Sequence, residues 1–115
     1  MKYRMNESML VNQVIRVLYP FADLTRVNTG TVKTADGYNF STGTPKGYSD
    51  ISGNLRANRS RSGFAIAVYI ECKVGDGQPT PEQVRFIQKK KEQGCIAGIV
   101  YNMYQAMELL RPYVR

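Results

Sequence analysis

Asp50, Glu71 and Lys73 are the side chains of this chain whose types and spacing best suit chemistry: two carboxylates and an amine. Glu71 and Lys73 close the apolar run Phe64–Lys73, FAIAVYIECK. Strand side chains alternate faces, so Phe64, Ile66, Val68, Ile70 and Cys72 share one side. Ala65, Ala67, Tyr69, Glu71 and Lys73 share the other, with Glu71 and Lys73 about 6.7 Å apart along the strand. Apolar residues on both faces up to Cys72 predict a central strand covered on both sides. Charge at the end of such a strand is costly unless a metal, a phosphate or an attacking water uses it.

Carboxylates from neighbouring strands beside a lysine suit metal-dependent phosphodiester hydrolysis. Magnesium takes oxygen ligands, commonly one or two carboxylates plus waters and substrate phosphate oxygens. Asp50 and Glu71 supply carboxylates, and the backbone carbonyl of Cys72 offers a third oxygen while its thiol faces the core. Lys73 would orient or deprotonate the attacking water, or stabilise charge on the phosphate. A shared metal requires the Asp50 and Glu71 carboxylates to lie within about 8 Å of each other.

These residues must be positioned by the elements around them. Apolar spacing at Leu10, Val11, Val14, Ile15 and Leu18 predicts a helix over residues 6–19, with Asn6 as N-cap and Pro20 closing it. Glu7 falls on the edge of its buried face, as a first-turn acid favoured by the helix dipole or as a further metal contact. Strand signals follow at 24–28, prolonged over 31–34, then a turn at Asp36-Gly37 leading into Tyr38–Ser41. A short strand over Tyr48–Gly53 carries Asp50. The polar stretch Asn54–Gly63 links it to the central strand. Arg56, Arg59 and Arg61 make that stretch either a solubilising hairpin tip or an arm for phosphates.

Past the central strand, Thr80-Pro81-Glu82-Gln83 reads as a capping box opening a helix that Gly94 ends. Val84 and Ile87 are its expected inner face. Arg85, Lys89, Lys90 and Lys91 make it basic, as an ordinary solvated face or as phosphate contacts. A buried strand at Ile96–Tyr101 and a helix at Met103–Leu110 complete the chain. The strand–helix–strand unit from Phe64 to Tyr101 requires parallel strands. Ligands in such sheets gather beyond the carboxyl ends of those strands, where Glu71 and Lys73 lie.

At 115 residues and 43% hydrophobic content, one globular α/β domain spanning 1–115 is expected. No apolar run reaches membrane-spanning length, and the N-terminus has no signal-peptide pattern. Two cysteines and no histidine argue against a disulfide framework, a zinc site and histidine-based triads. A cytoplasmic protein with two buried thiols is the expectation. A net charge of +7 suggests a polyanionic partner, most often nucleic acid.

Asp50 followed by Glu71-Cys72-Lys73 resembles the signature of PD-(D/E)XK nucleases. More narrowly, Gly47-Tyr48-Ser49-Asp50, Ile70-Glu71-Cys72-Lys73 and Pro81-Glu82-Gln83 resemble the VRR-NUC branch, which includes small stand-alone phage or prophage proteins. Ser49 stands where the motif's name has proline. The resemblance implies a restriction-endonuclease-like αβββαβα core with a mixed central sheet flanked by helices. It implies Asp50, Glu71, the Cys72 carbonyl and Glu7 as ligands of Mg²⁺ or Mn²⁺, with Lys73 catalytic. It makes Gln83 a site residue, although the capping box already accounts for a glutamine there.

The resemblance further implies a homodimeric endonuclease acting on branched DNA, such as Holliday junctions or flaps. Arg56, Arg59, Arg61, Lys89 and Lys90 are the candidate DNA contacts. The competing expectations are a nucleic-acid-binding module with little activity, and an α/β structural protein in which Glu71 and Lys73 form a strand-end salt bridge.

Overall fold

The computed structural model describes residues 4–27, 31–33, 35, 39–41 and 44–115. In chain order it forms α1 (Glu7–Leu18), β1 (Ala22–Arg26), β2 (Thr31–Lys33), β3 (Asn39–Ser41), β4 (Ile51–Leu55), β5 (Ile66–Cys72), α2 (Pro81–Glu92), β6 (Ile96–Val100) and α3 (Met103–Leu110). One mixed sheet has the order β1-β4-β5-β6, and β2 pairs with β3 as a separate antiparallel ribbon. β1–β4 and β4–β5 are antiparallel, whereas β5–β6 is parallel, as the α2 crossover demands. Leaving out the ribbon, the order is αβββαβα, the expected α/β arrangement.

Each face of the sheet is covered by helix. Leu10, Val11, Val14 and Leu18 recur at helical spacing and pack with Val68, Ile70 and Cys72 of β5, Ile96 and Val100 of β6, and Ala106 and Leu110 of α3. That cluster is the main core. The opposite face takes α2, whose Phe86 meets Tyr69 of β5 edge-on at a centroid distance of 5.6 Å and Tyr48 tilted at 4.6 Å. Asn6 caps α1 through Met9 N–H, and Thr80 caps α2 through Gln83 N–H. No helix among the described residues is long and apolar enough to cross a membrane.

Several boundaries and one helix phase differ from expectation, and β4 runs on through Asn54 and Leu55, expected in the following loop. β5 begins at Ile66 rather than Phe64, because pairing with β4 ends at Leu55–Ile66; Phe64 is 74% exposed. β1 begins at Ala22, two residues early, paired with Leu55. Asp50 stands just before β4 instead of within it. Along α2 the inward positions are Gln83, Phe86, Ile87 and Lys90, spaced i, i+3, i+4, i+7, which leaves Val84 46% exposed. The Asp36-Gly37 turn, Tyr38, Asn28 and Thr34 lie outside the described residues.

The loop before Asp50 is fixed by contact with α2. Gly47 has φ 87°, and a methyl there would sit 2.6 Å from the backbone carbon and oxygen of Glu82. Gly63 has a similar φ of 78° with nothing within 4 Å of such a methyl. Both Ala substitutions therefore incur the left-handed penalty of about 1–2 kcal/mol. Gly47→Ala adds a backbone overlap and should lower the urea midpoint clearly more than Gly63→Ala. Equal losses would show that the contact between loop and helix does not matter.

Candidate metal centre

Asp50 reaches the end of β5 because of where the β4–β5 ladder stops. The last paired residues are Ile51 and Ile70. The next amide on that edge of β5, Cys72 N–H, donates to Asp50 Oδ2 at 2.9 Å, so a side chain stands in for the missing strand carbonyl. The Asp50 carbonyl accepts from Val27 N–H at 2.7 Å, and Ser49, fully buried, donates through Oγ to the Ile51 carbonyl at 2.8 Å. A residue's amide and carbonyl project from the same edge of a strand, so the Cys72 carbonyl is directed toward the Asp50 side. The Cys72 thiol lies in the core, where burial, then Asp50, Glu71 and Glu7, push it up to about 12. It is not a nucleophile.

Glu71 is the buried member, 2% exposed. Carboxylate oxygens of Glu7, Asp50 and Glu71 all lie within 4.8 Å of one another, well inside the limit for a shared metal. α1 therefore brings Glu7 to the cluster with its first turn while its apolar stripe packs on the core.

Glu71 Oε2 accepts from Gln83 Nε2 at 3.1 Å. Gln83 Oε1 accepts from Thr80 N–H at 2.9 Å, and since only oxygen can accept from that amide, the nitrogen must face Glu71. The capping role and the site role of Gln83 are two ends of one amide. Glu71 Oε1 is buried with no hydrogen-bond partner among the described residues. Burial, then the charge of Asp50 and a proton shared with it, push the Glu71 carboxyl up to about 8, against a smaller downward pull from Lys73. Two carboxylates 4–5 Å apart repel by roughly 3–4 kcal/mol at an effective dielectric of about 20. A cluster this tight needs a proton or a cation between its members. The orphaned oxygen and all-oxygen donor set fit a hard divalent cation.

Lys73 follows on the Glu71 face. Its N–H donates to the Val100 carbonyl at 2.9 Å, and its Cδ lies 3.8 Å from where a methyl on Gly77 would stand. Tyr101 holds that loop by donating its hydroxyl to the Gly77 carbonyl at 2.9 Å. Among the described residues Lys73 forms no salt bridge, so a simple strand-end Glu71–Lys73 ion pair is not what the structure contains.

The basic candidates do not gather here. Arg56 follows Leu55, whose end of β4 lies about 14 Å of strand from Ile51 at the carboxylate end. Its guanidinium bonds Asp23 Oδ1 at 2.7 and 3.1 Å and the Tyr19 carbonyl at 2.6 Å, and stacks on the Tyr19 ring. Arg59 stacks on Phe21, and Arg61 Nε donates to the Val114 carbonyl at 2.9 Å. This loop fastens the last residues of the chain and the turn after α1 to the far end of the sheet. Lys90 turns inward, its amine 4.7 Å from the Tyr69 ring centre, whereas Lys89 is exposed. Arg26 was missed by sequence reasoning, although it pairs with Ile51 at the carboxylate end. Only strand register places it there.

The Glu71 proton makes a pH prediction. In the folded chain the group titrates near 8 against an ordinary 4.5, so the folded state holds a proton the unfolded state has lost. Its stabilisation is complete below about 4.5 and is lost as pH rises through about 8. In EDTA the melting temperature should fall across that window, with roughly 4–6 °C for each kcal/mol. Mg²⁺ or Mn²⁺ should reverse the fall at the alkaline end and do little at the acid end. Glu71→Gln should flatten both responses; a wild-type melting temperature indifferent to pH and cation would contradict this account. No protein-family model, curated protein or solved structure matches the chain, so its chemical reading rests on these side chains.

Proposed function

We propose that this chain is a Mg²⁺- or Mn²⁺-dependent DNA endonuclease of the VRR-NUC type. The observation that carries the reading is the buried Glu71 carboxylate, with its unpartnered Oε1, beside Asp50 and Glu7 at the carboxyl end of a parallel strand pair. Asp50, Glu71 and the Cys72 carbonyl would hold the cation, with Glu7 as a further contact. When bound, the cation lowers the pKa of a coordinated water and neutralises charge developing on the phosphate.

The protein's own residues supply the rest. Gln83, fixed by the Thr80 cap, keeps one Glu71 oxygen turned away so that the other faces the cluster. Lys73, next on the same strand face, orients the attacking water and stabilises the phosphate as the P–O bond to the leaving group breaks. The Tyr101–Gly77 hydrogen bond steadies the loop along which the lysine lies. A net charge of +7 supports a polyanionic substrate bound through phosphates rather than base edges. The described residues form one such centre, so paired cuts across a junction would take a homodimer.

A cleavage panel of four-way junction, flap, duplex and single strand, with Mg²⁺ and Mn²⁺, tests this directly. Lys73→Ala should cut at least about 100-fold more slowly while still gaining thermal stability from Mn²⁺. Asp50→Asn should lose both cutting and the Mn²⁺ response. Wild-type cleavage by either variant would end the proposal. Saturable DNA binding without turnover under any cation would favour the binding-module alternative.

A further inference from the structure

We infer that the nucleic-acid backbone is gripped at the carboxylate end of the sheet, by Arg26 on the α1 side of the centre and by Lys46 and Arg85 on the α2 side. The inference rests on the nucleic-acid reading above. It departs from the sequence-derived contacts, since Arg56, Arg59 and Arg61 lie at the opposite end with their guanidinium groups engaged by the fold.

Arg26 is the last residue of β1, and its register partner Ile51 directly follows Asp50. Its Nη1 donates to Ser8 Oγ at 2.6 Å, and Ser8 directly follows Glu7 on α1. The guanidinium is thus held at the start of α1, where Glu7 lies, and at the end of β1 that pairs beside Asp50. Among the described residues Ser8 engages a single nitrogen, which leaves Arg26 the paired donors that suit a phosphate. On the other side, Lys46 precedes the Gly47 contact with α2, and Arg85 lies on the first turns of that helix. Each approaches Glu82 Oε1 only to 3.9 Å, with side chains 86% and 72% exposed. Two cations sharing one distant carboxylate keep a surplus positive charge and can turn to a phosphate at little cost. Glu82 adjoins Gln83, the residue bonded to Glu71, so both cations meet α2 in the turn that carries the Glu71 contact. A strand crossing the carboxylates would run between Arg26 at the start of α1 and this pair at the start of α2.

The salt dependence of binding reads the number of phosphate contacts, so it tests the inference without cleavage. Binding of a fluorescein-labelled four-way junction and a single strand is measured in Ca²⁺ from low to moderate salt. Arg26→Ala should reduce the slope of log affinity against log salt by about 1, and the Lys46→Ala/Arg85→Ala pair by about 2. Arg26→Lys should restore most of the slope, which excludes a folding defect. The Arg59→Ala/Arg61→Ala pair should keep the wild-type slope. Unmoved slopes in the first variants, a fall confined to the Arg59/Arg61 pair, or no DNA binding would overturn the inference. Slopes that move as expected with no cutting under Mg²⁺ or Mn²⁺ uphold this surface and defeat the endonuclease reading. Cutting with unmoved slopes does the reverse.

Discussion

The hydrogen bond from Cys72 N–H to Asp50 Oδ2 is the constraint on which the site depends. β4 could have continued its ladder with one more carbonyl. Instead a carboxylate takes that place, which ends the strand and fixes an acid within 4.8 Å of Glu71. Satisfying the buried amide thus determines where the negative charge must be. The surrounding structure holds the arrangement from three sides: Val27 on the Asp50 carbonyl, Ser49 on the following carbonyl, and Gly47 seated against Glu82.

This arrangement divides the sheet into two ends with opposite electrostatic character. At the carboxylate end, three acids are drawn within 4.8 Å of one another, and burial with the charge of Asp50 pushes the Glu71 carboxyl up to about 8. At the other end, Arg56 is matched by Asp23 and by a carbonyl, Arg59 by an aromatic face and Arg61 by the C-terminal backbone. Ser60 also bridges Val114 there. The far end is saturated and adds stability; the near end retains unmet electrostatic demand. Unmet demand of this kind is what a binding or catalytic site retains at some expense to the fold.

Much of this was legible in the residues. The alternation in β5, the capping box of α2 and the parallel crossover all follow from local periods and turn chemistry, and the structure contains each. Asp50, Glu71 and Glu7 do converge. What local patterns could not convey was register and phase. Arg56, Arg59 and Arg61 resemble a free basic arm until strand pairing sends them to the far end. Val84 reads as inward until Gln83 sets the rotation of α2 by its bond to Glu71, which turns Phe86, Ile87 and Lys90 toward the sheet. Arg26 has no local signal at all, because its proximity to Asp50 is a property of the β1–β4 pairing.

Gln83 shows why the local and the functional readings of one residue need not compete. A capping box accepts glutamate as readily as glutamine at its third position. Here the second end of the side chain faces a buried carboxylate, so glutamate would place a fourth acid against the cluster, whereas the amide presents a donor. The N-cap amide of Thr80 consumes the glutamine oxygen and leaves the Nε2 hydrogens for Glu71. That bond satisfies Oε2 and leaves Oε1 as the buried oxygen without a partner. The cap of α2 therefore does more than start a helix: by fixing which oxygen of Glu71 is spoken for, it determines which one a cation or a proton must meet.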